Sequence, residues 1–180
     1  MILNYDELLD QLHTDYNIKK ALTNGTLYKV ERGIYSTKSN YSNVEILKKK
    51  YPEAVFSSYS AFQILGLSNF VPRNYYLTIE RNSTRIKENF VECNYAFKNV
   101  AYLGITIMKY NGIEVRVYSK ERMLIELVRN KNKYSLNYYC EVIKRYRLIS
   151  STLDLGMLRK LLEKFRYGKV LYNRILVEVL

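Results

Sequence analysis

One histidine, two cysteines and no tryptophan occur among the 180 residues, and no aspartate lies between Asp15 and Asp154. These shortages exclude much chemistry. With His13 alone and Cys93 and Cys140 far apart, no zinc-ligand set of the usual spacing can be assembled. There is no glycine-rich phosphate loop and no Gly-x-Ser-x-Gly elbow. The chain is therefore read as a non-enzyme, with no catalytic residue, no cofactor and no metal site. The two cysteines read as buried free thiols rather than as a disulfide. His13 falls at the end of the first helix and reads as a surface or capping residue. No run of ~18 apolar residues is present, so no membrane-spanning helix is expected. "MILNYDELLD" lacks the basic start and apolar stretch of a secretory signal. The expected location is the cytoplasm.

What is abundant points elsewhere. Apolar residues make up 48% of the chain, enough for a folded core. The formal net charge is +12, which suits a polyanionic partner, nucleic acid above all. Its distribution is uneven. Residues 1–50 carry eight Lys/Arg against six Asp/Glu, and residues 51–118 carry seven against five. Residues 119–180 carry fourteen against six, so most of the excess lies in the last third. There are 19 tyrosines. They read either as stacking platforms for bases or as the codon bias of an AT-rich genome, since Lys, Asn and Ile are abundant with them.

Local signals organise the chain. Asn4 with Glu7 forms a capping box, and Tyr5, Leu8, Leu9 and Leu12 fall on one stripe. A second helix is expected from Thr14 or Asp15, with Ile18, Ala21 and Leu22 inward. Its outward face is Tyr16, Lys19, Lys20 and Thr23, and Asn24-Gly25 stops it. Leu27–Val30 and Ile34–Ser36 read as strands turned at Glu31-Arg32-Gly33. The polar stretch "TKSNYSN" (37–43) is the expected link, and a short helix is expected over 42–50. Beyond it, "SSYSAFQILGL" (57–67) reads as a Ser-capped helix and "YYLTIE" (75–80) as a strand. Residues 102–119 form the strongest hairpin signal, with Asn111-Gly112 suited to a type I′ turn. The rest reads as helical. Ser119 caps a helix with Met123, Leu124, Leu127 and Val128 inward. Ser135 caps one with Leu136, Tyr139, Val142, Ile143 and Tyr146 inward. Asp154 caps one with Leu158, Leu161, Leu162 and Phe165 inward, which Gly168 breaks.

The expected class is α+β. Residues 1–40 would form a winged helix-turn-helix. Residues 41–180 would form a mixed α/β domain, with strands at about 75–118 and helices at about 119–180.

Three functions from different classes fit these patterns. A metal-dependent nuclease needs clustered carboxylates. Glu80, Glu88, Glu92, Glu114 and Glu121 are the candidates, and "IEVRV" puts Glu114 and Arg116 on one strand face. An RNA-binding module would use the tyrosines. A DNA reader would lay a polar helix in the major groove, where base edges are distinguishable. Its hairpin would set cations against phosphates. The helix offers Tyr16, Asn17, Lys19, Lys20 and Thr23. The wing offers Lys29 and Arg32, with Lys38 just beyond.

"IKKALTNGTLYKVERGIYST" resembles the N-terminal signature of the AbiEi family, the antitoxins of abortive-infection systems. The matching features are the basic Lys19-Lys20, then Gly25, Leu27 and the run Arg32-Gly33-Ile34-Tyr35. "AVFSSYSAFQILGLS" (54–68), "YYLTIER" (75–81) and "VRVYSKERMLIELVRNK" (115–131) are similar to later family segments, so the resemblance spans nearly the whole chain. It implies a bacterial winged-helix repressor of its own operon, acting in phage defence and bound to double-stranded operator DNA. It also implies a C-terminal domain that counters a co-encoded nucleotidyltransferase-like toxin, in a system where the two proteins need not touch. A monomer in solution and cooperative binding on DNA are both compatible with it. The family's C-terminal domain is commonly basic. Here the candidate basic face is Arg129, Lys131, Lys133, Lys144, Arg145 and Arg147.

Overall fold

Asn4 and Glu7 hold the first helix as their spacing predicts. The Asn4 carboxamide accepts from the Glu7 N–H at 2.9 Å, and the Glu7 carboxylate accepts from the Asn4 N–H at 2.9 Å. The pair satisfies groups that a helix start leaves open and begins α1 (Tyr5–Leu12). Thr14 caps α2 (Asp15–Thr23) by accepting from the Asn17 N–H. The computed structural model describes residues 1–180 in two compact units, Met1–Pro52 and Glu53–Leu180. The class is α+β.

The first unit adds a strand that the sequence reading did not include. β1 (Ile2–Asn4) pairs antiparallel with β3 (Ile34–Ser36), which pairs antiparallel with β2 (Tyr28–Glu31). The sheet order is β1-β3-β2. Leu3 of β1, Leu8 of α1, Ile18 of α2 and Leu27 just before β2 form a core cluster of the unit. The unit does not end near residue 40. It runs on through α3 (Asn43–Lys50), whose Ser42–Glu45 capping box matches that of α1. α3 packs on β1, and Lys49 makes an ion pair with Glu7. A polar link between 37 and 43 exists, but the helix after it folds back onto the first unit.

The second unit is built on a five-stranded sheet of order β6-β5-β4-β8-β7. The strands are β4 (Val55–Phe56), β5 (Tyr75–Glu80), β6 (Val91–Ala96), β7 (Ile105–Tyr110) and β8 (Ile113–Tyr118). The central strand is the shortest. Val55 and Phe56 are buried, and they bridge β5 antiparallel on one side and β8 parallel on the other. β5 and β6 run parallel, and β7 and β8 form the expected hairpin over Asn111-Gly112. α4 (Ser58–Ile64) follows β4, and α5 (Lys98–Ala101) follows β6. Then come α6 (Lys120–Arg129), α7 (Leu136–Leu148), α8 (Leu155–Leu162) and α9 (Gly168–Glu178). Ser119, Ser135 and Asp154 cap α6, α7 and α8 as expected.

α6 is the centre of this unit. Seven of its ten residues are buried, and it packs against α4, α8 and α9. Gly104 lets it come that close. Gly104 has φ +68°, and a Cβ there would lie 2.8 Å from the Arg122 Cβ. Gly104→Ala adds a left-handed strain to a clash on a rigid helix. It is expected to destabilise the second unit by about 2–3 kcal/mol, read as a lower denaturation midpoint.

Three local expectations are corrected. Ser57 does not cap α4; its hydroxyl accepts from Thr78 Oγ1 at 2.9 Å instead. Leu136 is 69% exposed, because at the first position of α7 its side chain precedes the face that packs inward. Cys140 is exposed and Cys93 only half-buried, both as free thiols. His13 is exposed and ends α1 in a left-handed conformation, its N–H donating to the Leu9 carbonyl.

Candidate nucleic-acid interface and the cleft of the second unit

α2 carries the proposed reading face on its exposed side. Ile18 is buried against Leu8 and Leu27, which turns Tyr16, Lys19, Lys20 and Thr23 outward. Tyr16 is 72% exposed. Two of the five candidate groups already serve the backbone. The Asn17 amide donates to the Leu12 carbonyl at 2.8 Å, and the Thr23 hydroxyl donates to the Lys19 carbonyl at 3.0 Å. That leaves Tyr16, Lys19 and Lys20 as the free contacts of the helix.

The hairpin is fixed to the end of this helix. Gly25 takes φ +69°, which an L side chain resists. The chain then reverses, so that the N–H groups of Thr26 and Leu27 both donate to the Ala21 carbonyl at 3.1 Å. Lys29 is exposed on β2, Arg32 is exposed at the turn, and Lys38 is exposed just past β3. Lys19, Lys20, Lys29, Arg32 and Lys38 make no ion pair. Within this unit Lys49 and Lys50 take up Glu7 and Glu31. Five cations without an ion-pair partner thus lie on a short helix, its attached hairpin and the residues just past it, and make this face positive.

The six candidates of the C-terminal basic face divide into two groups. Arg129 ends α6, and Lys131 and Lys133 occupy the single 3₁₀ turn after it. Lys144, Arg145 and Arg147 are exposed on α7. Glu178 engages members of both groups. Its carboxylate pairs with Lys131 at 3.5 Å, and its carbonyl accepts from Arg147 Nε at 2.6 Å. Lys144 and Arg145 make no ion pair.

A cleft of about 710 Å³ lies over β5 and β6, beside α6. The register pairs Tyr76 with Glu92 and Thr78 with Asn94, so these four side chains share one sheet face and form the floor. Arg122 closes the inner end. It is 2% exposed, its Nη2 donates to Glu126 Oε1 at 2.7 Å, and its Nη1 donates to the Val100 carbonyl at 3.2 Å. Its guanidinium lies 4.6 Å from the Tyr118 ring centre and 4.5 Å from that of Phe165. Its Nε has no partner. Ser58 stands at the mouth of the β4–α4 turn with φ +47°, uncommon outside glycine. Its hydroxyl is 3.4 Å from that of Tyr134.

Many of the tyrosines cluster around this cleft. The Tyr59 ring lies 4.8–5.2 Å from those of Tyr76, Tyr134 and Tyr138. Burial pushes the phenols of Tyr118 and Tyr134 up to about 12, because the charged form loses its water. Burial also raises Tyr138, Tyr139 and Tyr146. An unfolded phenol ionises near 10. Between about pH 10 and 12 the unfolded chain therefore sheds protons that the folded chain keeps, and stability falls with rising pH. The urea midpoint is expected to drop between about pH 10 and 12. The tyrosinate absorbance of the buried set should appear only with unfolding.

The carboxylates considered for metal chemistry are not assembled. Glu114 is exposed on β8, Glu92 sits on the cleft floor, and buried Glu121 accepts from the Asp154 N–H at 3.1 Å. Glu80 ends β5, and Glu88 precedes β6. No three His, Cys, Asp or Glu side chains come together to hold an ion. No helix is long and apolar enough to cross a membrane.

The cleft-lining pair Arg122 and Glu126 and the β6 residues Glu92 and Asn94 were not among the sequence candidates. Signals for both existed. Arg122 and Glu126 stand four apart on a helix, and "VECNYA" alternates as a half-buried strand does. The chain matches no protein-family model, and no curated protein matches it.

Proposed function

We propose that the protein is a DNA-binding antitoxin of the AbiEi kind, with the first unit acting as a winged helix-turn-helix that binds operator DNA and represses its own operon. The observation that carries this reading is the set of uncompensated cations on α2 and its attached hairpin. Lys19 and Lys20 stand one turn beyond Tyr16 on the outward side of α2, Lys29 and Arg32 lie on the wing, and Lys38 lies just past it. Helix, hairpin and motif order together support the family. β1 and α3 complete a small unit that buries its own core. In this reading the protein works in the bacterial cytoplasm as part of phage defence. Binding of the full chain to a duplex from its own promoter region, against a scrambled duplex of equal length, tests it. Equal affinity for both would contradict a repressor.

The second unit counters the co-encoded nucleotidyltransferase-like toxin, with or without direct contact. The support is the charge excess after Ser119, part of which stands uncompensated on α7. Charge reversal at Lys144, Arg145 and Arg147 is expected to cut growth rescue from the toxin by at least about tenfold. Repression should stay intact. Plating efficiency in cells that express the toxin checks the first point, and a promoter reporter checks the second.

A further inference from the structure

We propose that the cleft over β5 and β6 binds a nucleoside phosphate unit, either a free nucleotide or the end of a polynucleotide. The inference is independent of the operator reading, since the cleft lies wholly within the second unit. Three kinds of group meet there. The first is aromatic: Tyr59, Tyr76 and Tyr134 are half-buried along the wall, and Phe97 is 66% exposed at the rim. A wall of flat rings suits a nucleobase, whose own π-face stacks without regard to sequence. The second is polar: Glu92 and Asn94, both exposed on the floor, offer a donor and acceptors to a base edge or a ribose. The third is cationic: Arg129 has 48% of its side chain exposed, and Lys133 is exposed. Both stand on the α6 side of the cleft, where a phosphate would find charge-assisted hydrogen bonds.

Size and construction agree with this ligand. A cavity of about 710 Å³ is in the range of small-molecule sites. The Arg122–Glu126 pair fixes the inner end, and Arg122 keeps a buried Nε without a partner. A buried guanidinium is costly and its replacement by apolar residues is often neutral, so its retention here fits a site that must stay polar. Ser58 holds its positive φ at the same cleft. An acid without a ring would leave the aromatic wall unused, and an apolar ligand would leave Asn94 and Lys133 unmatched.

Calorimetric titration of the full chain tests the proposal. The probes are the four common ribonucleoside 5′-monophosphates and a short single-stranded oligoribonucleotide. Saturable binding is expected for at least one probe. Similar affinity for mononucleotide and oligonucleotide identifies a free nucleotide as ligand, and much tighter oligonucleotide binding identifies a polynucleotide end. The double variant Arg129→Glu, Lys133→Glu should weaken binding about tenfold or more. Because Arg129 also pairs with Glu126, Lys133→Glu alone, at an exposed side chain, should weaken binding in the same direction with an unchanged melting curve. Lys160→Glu with Lys164→Glu makes the same change in charge at exposed residues away from the cleft and should leave binding within about twofold. No saturable binding up to about 5 mM of any probe would overturn the proposal. So would equal loss of binding in both double variants, or no loss in the first.

Discussion

Replacing Glu126 with alanine is expected to destabilise the second unit by about 3–5 kcal/mol. Arg122 has 3% of its side chain exposed, and Glu126 is its only carboxylate partner. The remaining contacts do not substitute. The Val100 carbonyl is a neutral acceptor at 3.2 Å, and the Tyr118 and Phe165 rings stack on the guanidinium without neutralising it. Glu126 also accepts from the Asn130 amide at 2.7 Å, so the end of α6 loses a tether as well. Arg122 is 2% exposed, and the helix that carries it is packed against α4, α8 and α9. The cost is therefore that of a buried, uncompensated charge. Glu126→Gln keeps an acceptor and should cost less. Removing both members, as Arg122→Met with Glu126→Leu, should recover much of the loss, because the desolvation penalty disappears with the charge. Denaturant unfolding of the three variants checks the order.

The second large effect concerns DNA. Lys19→Ala with Lys20→Ala is expected to lower operator affinity by about tenfold to a hundredfold near physiological salt. Each lysine that touches a phosphate releases about one counterion, so losing two flattens the slope of log K against log salt by ~1.8. Neither residue is in an ion pair or in the core, so the melting temperature should not move. The loss should be nearly equal on specific and scrambled duplexes if the lysines touch phosphates. It should be larger on the specific duplex if either reads a base.

Local chemistry carried much of the fold in the sequence. The caps at Asn4, Thr14, Ser42, Ser119, Ser135 and Asp154 need only a side-chain oxygen and an N–H two or three residues on. The Asn111-Gly112 turn needs only two residues that accept positive φ. What stayed hidden depends on partners far along the chain. β1 and β4 are three and two residues long, and they are strands only because β3, β5 and β8 lie beside them. β6 pairs with β5 in parallel across an intervening loop. Pro52 ends the first unit because α3 returns to β1, which composition cannot reveal. On the site, the outward face of α2 was legible from helical spacing. Asn17 and Thr23 were not separable from it, since their bonds to backbone carbonyls depend on rotamers. The burial of the Arg122–Glu126 pair depends on α8 and α9 packing against α6, which helical spacing alone does not show.

The salt dependence of operator binding speaks most directly to the first unit as a DNA reader. Fluorescence anisotropy with the full chain and a duplex from its own promoter region, from ~50 to 200 mM salt, gives both the preference over scrambled DNA and the number of phosphates engaged. A preference of at least about a hundredfold is expected, with a slope of about −3 to −5 set by Lys19, Lys20, Lys29, Arg32 and Lys38. Equal binding to both duplexes, or a slope unchanged when Lys19 and Lys20 are removed, would contradict the assignment of α2 as the reading helix.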